Sequence, residues 1–330
     1  MSRTFRYALV GCGRVGLKRL GAIPPGRCEV ACDIDLRRAK NFVAQIGHGR
    51  ATVDYQDAVR DASVEIVIAA TVNSRLWEVG KAAIQAGKHV LIEKPVGVSS
   101  HEIKNLIRLA NKHHVWVRPG FNHRFHPALL KAREIVQSGA LGDLMFIRGR
   151  YGHGGRKDYE REWRADPKIS GGGELMDQGV HLIDLARWFL GDFHTTEGIA
   201  RTFFWKMKVD DNAFLNLQTR QGQVAWLHVS CTEWKNLFSF EIYGRRGKLH
   251  IEGLGGTYGL ERLYYYKMLS PGRAPATKIF EFSRDDNSWT LELRTFEKDI
   301  QYRREPHPNL NDAWAVICHV EEIYRKCGYR

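Results

Sequence analysis

The chain has 330 residues, about twice the usual length of one domain, so two domains are expected. Apolar residues make up 43% and charged residues 26%, which excludes disordered, collagen-like and coiled-coil classes. Lys and Arg outnumber Asp and Glu by 50 to 37, giving +13 at neutral pH. The basic residues lie scattered or in doublets (Arg37-Arg38, Arg245-Arg246, Arg303-Arg304), so no nucleic-acid partner is expected.

No apolar run approaches the roughly 18 residues of a spanning helix, and no signal-peptide core precedes the first strand. No membrane partner is therefore expected. Cys12, Cys28, Cys32, Cys231, Cys318 and Cys327 show neither metal spacing nor a disulfide framework. Reduced thiols, no metal and a cytoplasmic location are the expectation.

In chain order, apolar runs begin at Tyr7, Glu29, Glu65, His89 and Val115. Their unbroken hydrophobicity suits strands buried on both faces. Helical patterns over Leu36–Ile46, Leu76–Ala86 and His101–Asn111 alternate with them, which is the rhythm of a doubly wound α/β fold. After Pro119-Gly120 the pattern changes. A helix over Pro127–Gln137 leads to a strand at Leu144–Ile147, then to a strongly apolar helix over Glu174–Leu190. Strands follow without intervening helices: Thr202–Trp205, Ala213–Leu217, Val224–Val229, Phe238–Tyr243 and Lys248–Ile251. Such a sheet is expected to be largely antiparallel. Two helices close the chain, one bearing Trp289, Leu293, Phe296 and Ile300, the other near Asn311–Tyr324. The expected division is 1–120 for nucleotide binding and 121–330 for an α+β substrate and oligomerisation domain. The closing helices are free to pack back on the first.

The turn after the first strand reads Gly11-Cys12-Gly13-Arg14-Val15-Gly16. In that fingerprint the first glycine makes the turn, the second admits a pyrophosphate and the third permits helix–sheet packing. Asp33 ends the second strand, where a carboxylate binds the adenosine ribose and repels a 2′-phosphate. NAD is favoured over NADP. Glu93-Lys94-Pro95 ends the strand begun at His89, at the sheet edge where such folds bind ligands. A Lys there can steady developing alkoxide charge. Downstream, Gly171-Gly172-Gly173 opens a helix with Asp177 and His181 one turn apart, and Asp184 continues that face. Buried Asp and His side by side suit proton transfer.

With these motifs in place, the chain resembles the Gfo/Idh/MocA oxidoreductases over nearly its whole length. Gly11–Gly16, Asp33, Thr71–Asn73, Glu93–Pro95, Gly120–Pro127 and Gly171–Asp184 carry the resemblance. It implies a Rossmann domain followed by an open, mostly antiparallel sheet whose exposed face builds a homodimer or homotetramer. It also implies catalysis by Lys94, Asp177 and His181. The cofactor residues would be Gly11, Gly13, Arg14, Val15, Gly16, Asp33, Thr71, Asn73, Glu93 and Lys94. Arg124, Trp163, Arg164 and Asp177 would line the substrate site. Thr71-Val72-Asn73 lacks the Pro usual in the family and the His that follows it.

The expected activity is hydride transfer between NAD and a secondary alcohol or ketone of a sugar. Arg124, Arg164 and the net charge favour a nucleotide-linked or otherwise anionic sugar. A polyol or trans-diol substrate is an alternative, as is a non-catalytic dinucleotide-binding regulator on the same fold.

Overall fold

The computed structural model describes residues 4–270, 272–283 and 285–329. They form two compact units: residues up to Phe121 together with Trp289–Cys318, and Asn122–Ser288 together with the chain from His319 onward. The stretch Trp289–Cys318 thus belongs with the nucleotide-binding half.

In the first unit the apolar runs become parallel strands β1 (Tyr7–Val10), β2 (Cys28–Cys32), β3 (Arg50–Thr52), β4 (Ile66–Ala69), β5 (His89–Glu93) and β6 (Val117–Gly120). Their order is β3-β2-β1-β4-β5-β6, the doubly wound arrangement, with β1 and β4 buried along their whole length. The helices are α1 (Arg14–Ala22), α2 (Leu36–Ile46), α3 (Tyr55–Arg60), α4 (Asn73–Gln85) and α5 (Ser100–His113). Their starts are written locally. Asp35 and Asp54 cap α2 and α3, and Ser99 caps α5 by accepting from the Glu102 N–H, while Glu102 accepts from the Val98 N–H at 2.7 Å. Strand β3 went unpredicted. Three residues at a sheet edge, two of them at least partly exposed, carry no apolar run to read.

The core of this unit gathers Phe5, Tyr7, Leu9, Phe42, Ile66, Ile68 and Leu91 with Leu293, Phe296 and Ile300 of the helix Ser288–Gln301. Two buried arginines tie that helix in. Arg19 pairs with Glu93 and Glu292, each at 2.5 Å, and Arg118 pairs with Asp299.

The second unit contains α6 (Pro127–Gln137), β7 (Leu144–Gly152), α7 (Pro167–Ser170), a π turn over Leu175–Gly179 and α8 (Val180–Leu190). Strands β8 (Phe193–Arg201), β9 (Asn212–Thr219), β10 (Val224–Ser230), β11 (Leu237–Gly244), β12 (Gly247–Glu252), β13 (Arg262–Lys267) and β14 (Ala276–Glu281) follow. Helices α9 (Ser288–Gln301) and α10 (Leu310–Lys326) complete the chain. The sheet order is β14-β13-β12-β11-β7-β10-β9-β8, antiparallel throughout except between β7 and β10. Alternation is clean, as in β11, where every second residue is buried. Helix α8 packs on β7 and β10 on one face. The other face is partly apolar: Ile199 lies opposite Phe214 on the neighbouring strand, and both are exposed, as is Trp226.

The predicted strand Thr202–Trp205 is instead a capped loop. The Asp211 carboxylate accepts from the backbone N–H groups of Phe203, Phe204 and Trp205 at 2.8, 2.7 and 3.0 Å. Bonds to a side chain replace the ladder that aromatic content suggested. The predicted helix over Glu174–Leu190 is also corrected, because its first turn is π rather than α. Among the described residues no helix is long and apolar enough to cross a membrane, no group of side chains is arranged to hold a metal ion, and all six cysteines are free thiols.

Candidate active site

The first unit builds a dinucleotide cradle from its glycines. A Cβ on Gly11 (φ +103°) would meet the Ala70 carbonyl oxygen at 2.3 Å, and one on Gly16 would meet the Gly11 carbonyl oxygen at 2.0 Å. A Cβ on Gly13 would meet nothing within 4 Å. Two glycines are therefore dictated by packing, and the third leaves open space beside the start of α1. No side chain caps that start, so the first-turn N–H groups of Arg14, Val15 and Gly16 point toward the same space. Asp33 accepts from the Cys12 N–H at 2.8 Å and the Asp35 N–H at 2.9 Å, one bond to each oxygen. A carboxylate has about four lone-pair sites, so acceptor capacity remains for two ribose hydroxyls. The cradle fits NAD.

Thr71 precedes α4, and Asn73 is buried in its first turn. Lys94 is half-buried just past β5, with a cis peptide to Pro95. The turn presenting it is closed by the Val96 N–H donating to the Glu93 carbonyl at 2.9 Å. Val96 itself adopts φ +77°, costly for a β-branched residue and characteristic of functional turns. Glu93, expected at the cofactor, turns inward to Arg19 and holds the strand end against α1.

The second unit positions Asp177 and His181 through the glycine turn. Asp210, fully buried, accepts from the Gly173 and Leu175 N–H groups at 2.9 and 2.8 Å and from the Tyr324 hydroxyl at 2.6 Å. Burial pushes its carboxyl up to about 6 against the opposing pull of these donors. A Cβ on Gly173 would lie 1.8 Å from the Asp210 carbonyl oxygen, so only glycine allows the approach. Asp177 accepts from Arg164 Nε at 3.1 Å, and Arg164 stacks on Trp163 with 4.5 Å to the ring centroid. His181 is buried and lies face to face with His123, ring centroids 3.7 Å apart and planes at 21°.

Several neighbours carried no spacing signal. Glu174, one residue before the π turn, accepts from the Tyr159 hydroxyl at 2.7 Å and lies 3.6 Å from His153 Nε2. Burial alone would lower His153, and the Glu174 carboxylate overrides it and raises it. Burial raises the Tyr151 hydroxyl, helped by Tyr258 and Asp177, so it remains a proton donor at neutral pH. Tyr258 also forms part of the wall of a cavity of about 1010 Å³ with Arg148, Arg150, Trp226 and His250.

Arg124 was expected to meet an anionic ligand. Its Nε and Nη2 instead donate to the two oxygens of Asp184 at 2.8 and 2.6 Å, with both residues buried. It holds α8, and Asp184 is thereby withdrawn from the acidic face predicted with Asp177.

A family model described as an oxidoreductase family with an NAD-binding Rossmann fold matches residues 5–121, and one for the GFO/IDH/MocA C-terminal domain matches 129–250. The chain belongs to the Gfo/Idh/MocA oxidoreductase family. It is 25% identical over 248 residues to levoglucosan dehydrogenase of Pseudarthrobacter phenanthrenivorans, covering 67% of this chain and 64% of that protein. It is 28% identical over 232 residues to inositol 2-dehydrogenase 2 of Saccharopolyspora erythraea, covering 66% and 64%. A solved levoglucosan dehydrogenase in complex with NADH and levoglucosan shares the fold at TM-score 0.88 and 21% identity, covering 98% of each chain.

Proposed function

We propose that the chain is an NAD-dependent dehydrogenase of a secondary alcohol on a sugar or polyol. The observation that carries this reading is the buried His181, four residues after Asp177 and behind the glycine turn, in a chain whose other unit fits NAD. Relatives named for levoglucosan and inositol support the substrate class.

In this reading an imidazole nitrogen of His181 takes the hydroxyl proton during oxidation and returns it during ketone reduction. Lys94 supplies an ammonium that steadies alkoxide charge. Asp177, held by Arg164, accepts a bond from a neighbouring substrate hydroxyl. NAD, when bound, supplies the hydride acceptor at C4 of its nicotinamide. With Arg124 committed to Asp184 and Arg164 shared with Asp177, the net charge of +13 is the main remaining argument for an anionic sugar. Neutral sugars and polyols fit this site better. We further read the partly apolar outer face at Ile199, Phe214 and Trp226 as the surface of a homodimer or homotetramer. Six free thiols are consistent with a cytoplasmic protein.

The test is NAD reduction with a panel of free sugars, anhydrosugars, polyols, sugar phosphates and nucleotide sugars. The His181→Asn protein runs beside the wild type. Turnover on one class, reduced roughly 10²–10⁴-fold in the variant with NAD affinity kept, is expected. Turnover unaffected by the substitution overturns the role of His181. Tight NAD binding without turnover on any class favours the regulator.

A further inference from the structure

His123 had no assigned role, yet its ring lies on His181 with 3.7 Å between centroids and 21° between planes. Both residues are buried, at 5% and 4% exposure, so little solvent screens one ring from the other. Two unit charges at that separation repel by about 0.8 pKa unit even if screened as in water, and by several times that in a protein interior. We propose that His123 and His181 form a one-proton pair, in which a proton on either ring prevents the other from accepting one near neutral pH. This rests on His181 being the proton-transfer group of the proposed reaction. His123 is then a positioning residue that sets when His181 can act as a base.

The groups facing His181 within its unit come from several elements. The 3-10 turn Asn122–Phe125 contributes His123 and Arg124, the latter neutralised by Asp184 of α8. The β7 strand contributes Tyr151, edge-on at 6.3 Å and protonated. The π turn brings Asp177, paired with Arg164, and Glu174 precedes it, bonded to Tyr159. The β10 strand buries Leu227 and Val229 and turns His228 to the outer face against Phe214. His123 is held on its own side by Asn122 Oδ1, 3.3 Å from Nδ1, and by the edge of His126, which faces Glu261 at 2.9 Å. Asp177 is thus paired with an arginine and Glu174 is hydrogen-bonded to a tyrosine, and among the described residues His123 is the ring stacked on His181.

The consequence for alcohol oxidation is signed. A proton on His123 disables His181 as effectively as a proton on His181 itself, so the pair loses base function at its first protonation. Removing the second ring leaves only one site to be filled. The acid limb of kcat/KM therefore moves to lower pH in His123→Phe, by about 0.3 unit, the factor of two, for equal sites and by more where His123 is the more basic ring. A purely structural role would lower kcat without moving the limb.

Histidine-selective carbon-13 NMR between pH 5 and 9 on the full-length protein tests the pairing directly. His123→Phe and His181→Phe assign the signals, and His123→Gln gives the same comparison if the phenyl ring is not accommodated. In the wild type the two rings together should take up one proton, the second arriving lower by about one unit or more. In each variant the remaining ring should titrate in one complete step. The proposal is overturned if each wild-type ring binds its own proton at the midpoint seen when the other is replaced. This measurement needs no turnover. If the pairing is found and His181→Asn keeps full activity, the catalytic reading fails and the one-proton pair stands.

Discussion

Replacing Asp184 by Leu leaves the Arg124 guanidinium buried without its carboxylate. Two charge-assisted bonds at 2.8 and 2.6 Å are lost, at residues 5% and 1% exposed. Breaking one side of such a pair costs about 3–5 kcal/mol, because the remaining charge must be desolvated alone. The Trp188 ring, 5.7 Å from the guanidinium carbon, recovers only a fraction. Arg124→Met should cost a similar amount for the mirror-image reason. The double variant Arg124→Met/Asp184→Leu removes both charges and should recover most of the loss, a coupling of about 2–4 kcal/mol. Urea unfolding followed by tryptophan fluorescence and by far-UV circular dichroism provides the cycle. Additive losses, or an Asp184→Leu protein within about 1 kcal/mol of wild type, would refute the structural role. The cycle also discriminates function. A double variant that is stable but has lost affinity for its substrate would show that Arg124 touches the ligand after all.

The remaining predictions concern the cradle and the glycine turn. Gly13→Ala should leave the melting temperature near wild type, since its Cβ meets nothing within 4 Å, and should weaken NAD binding measured by fluorescence quenching. Equal affinity would mean that the pyrophosphate lies elsewhere. Asp33→Ala should weaken NAD and relax discrimination against NADP, and should cost about 1 kcal/mol from the lost bonds to Cys12 and Asp35. An unchanged cofactor preference in a spectrophotometric assay would point to another acidic residue. Asp210 carries a raised carboxyl of about 6 against its usual 3.8, so its ionisation costs stability as pH rises from about 4 to 6. The gap between wild type and Asp210→Asn should therefore shift by about 2 kcal/mol in favour of the variant from pH 4 to pH 7. A gap independent of pH in thermal melts would contradict the raised value.

What was legible in the sequence followed from how local the governing interaction is. Helix α2 has the predicted boundaries because Asp35 and Gly47 punctuate it within the chain itself. The Gly11–Gly16 turn was readable because its constraints are backbone contacts fixed by the motif. Strand β8 was missed because its outward residues include Glu197, Ile199 and Arg201, which show no single periodic signal. The register of aromatic residues 202–205 was misjudged because Asp211 supplies acceptors from several residues away. The fate of Arg124 depended on Asp184, 60 positions later. Glu93 likewise depended on Arg19, 74 positions earlier, so its motif disclosed the residue and not its partner. The His123–His181 stack is of the same kind: each ring lies in a recognisable segment, but their contact exists only after folding.

Arg19 reaches Glu93 early in the chain, but its second carboxylate, Glu292, comes 273 residues later. Leu293, Phe296 and Ile300 close the same core from that late helix. On the ribosome, the nucleotide-binding unit therefore waits, with a half-neutralised buried arginine and an uncovered apolar patch, until nearly all of the intervening chain has been made. Cutting the chain after Phe121 would not yield a smaller NAD-binding protein but one missing the segment that shuts its core.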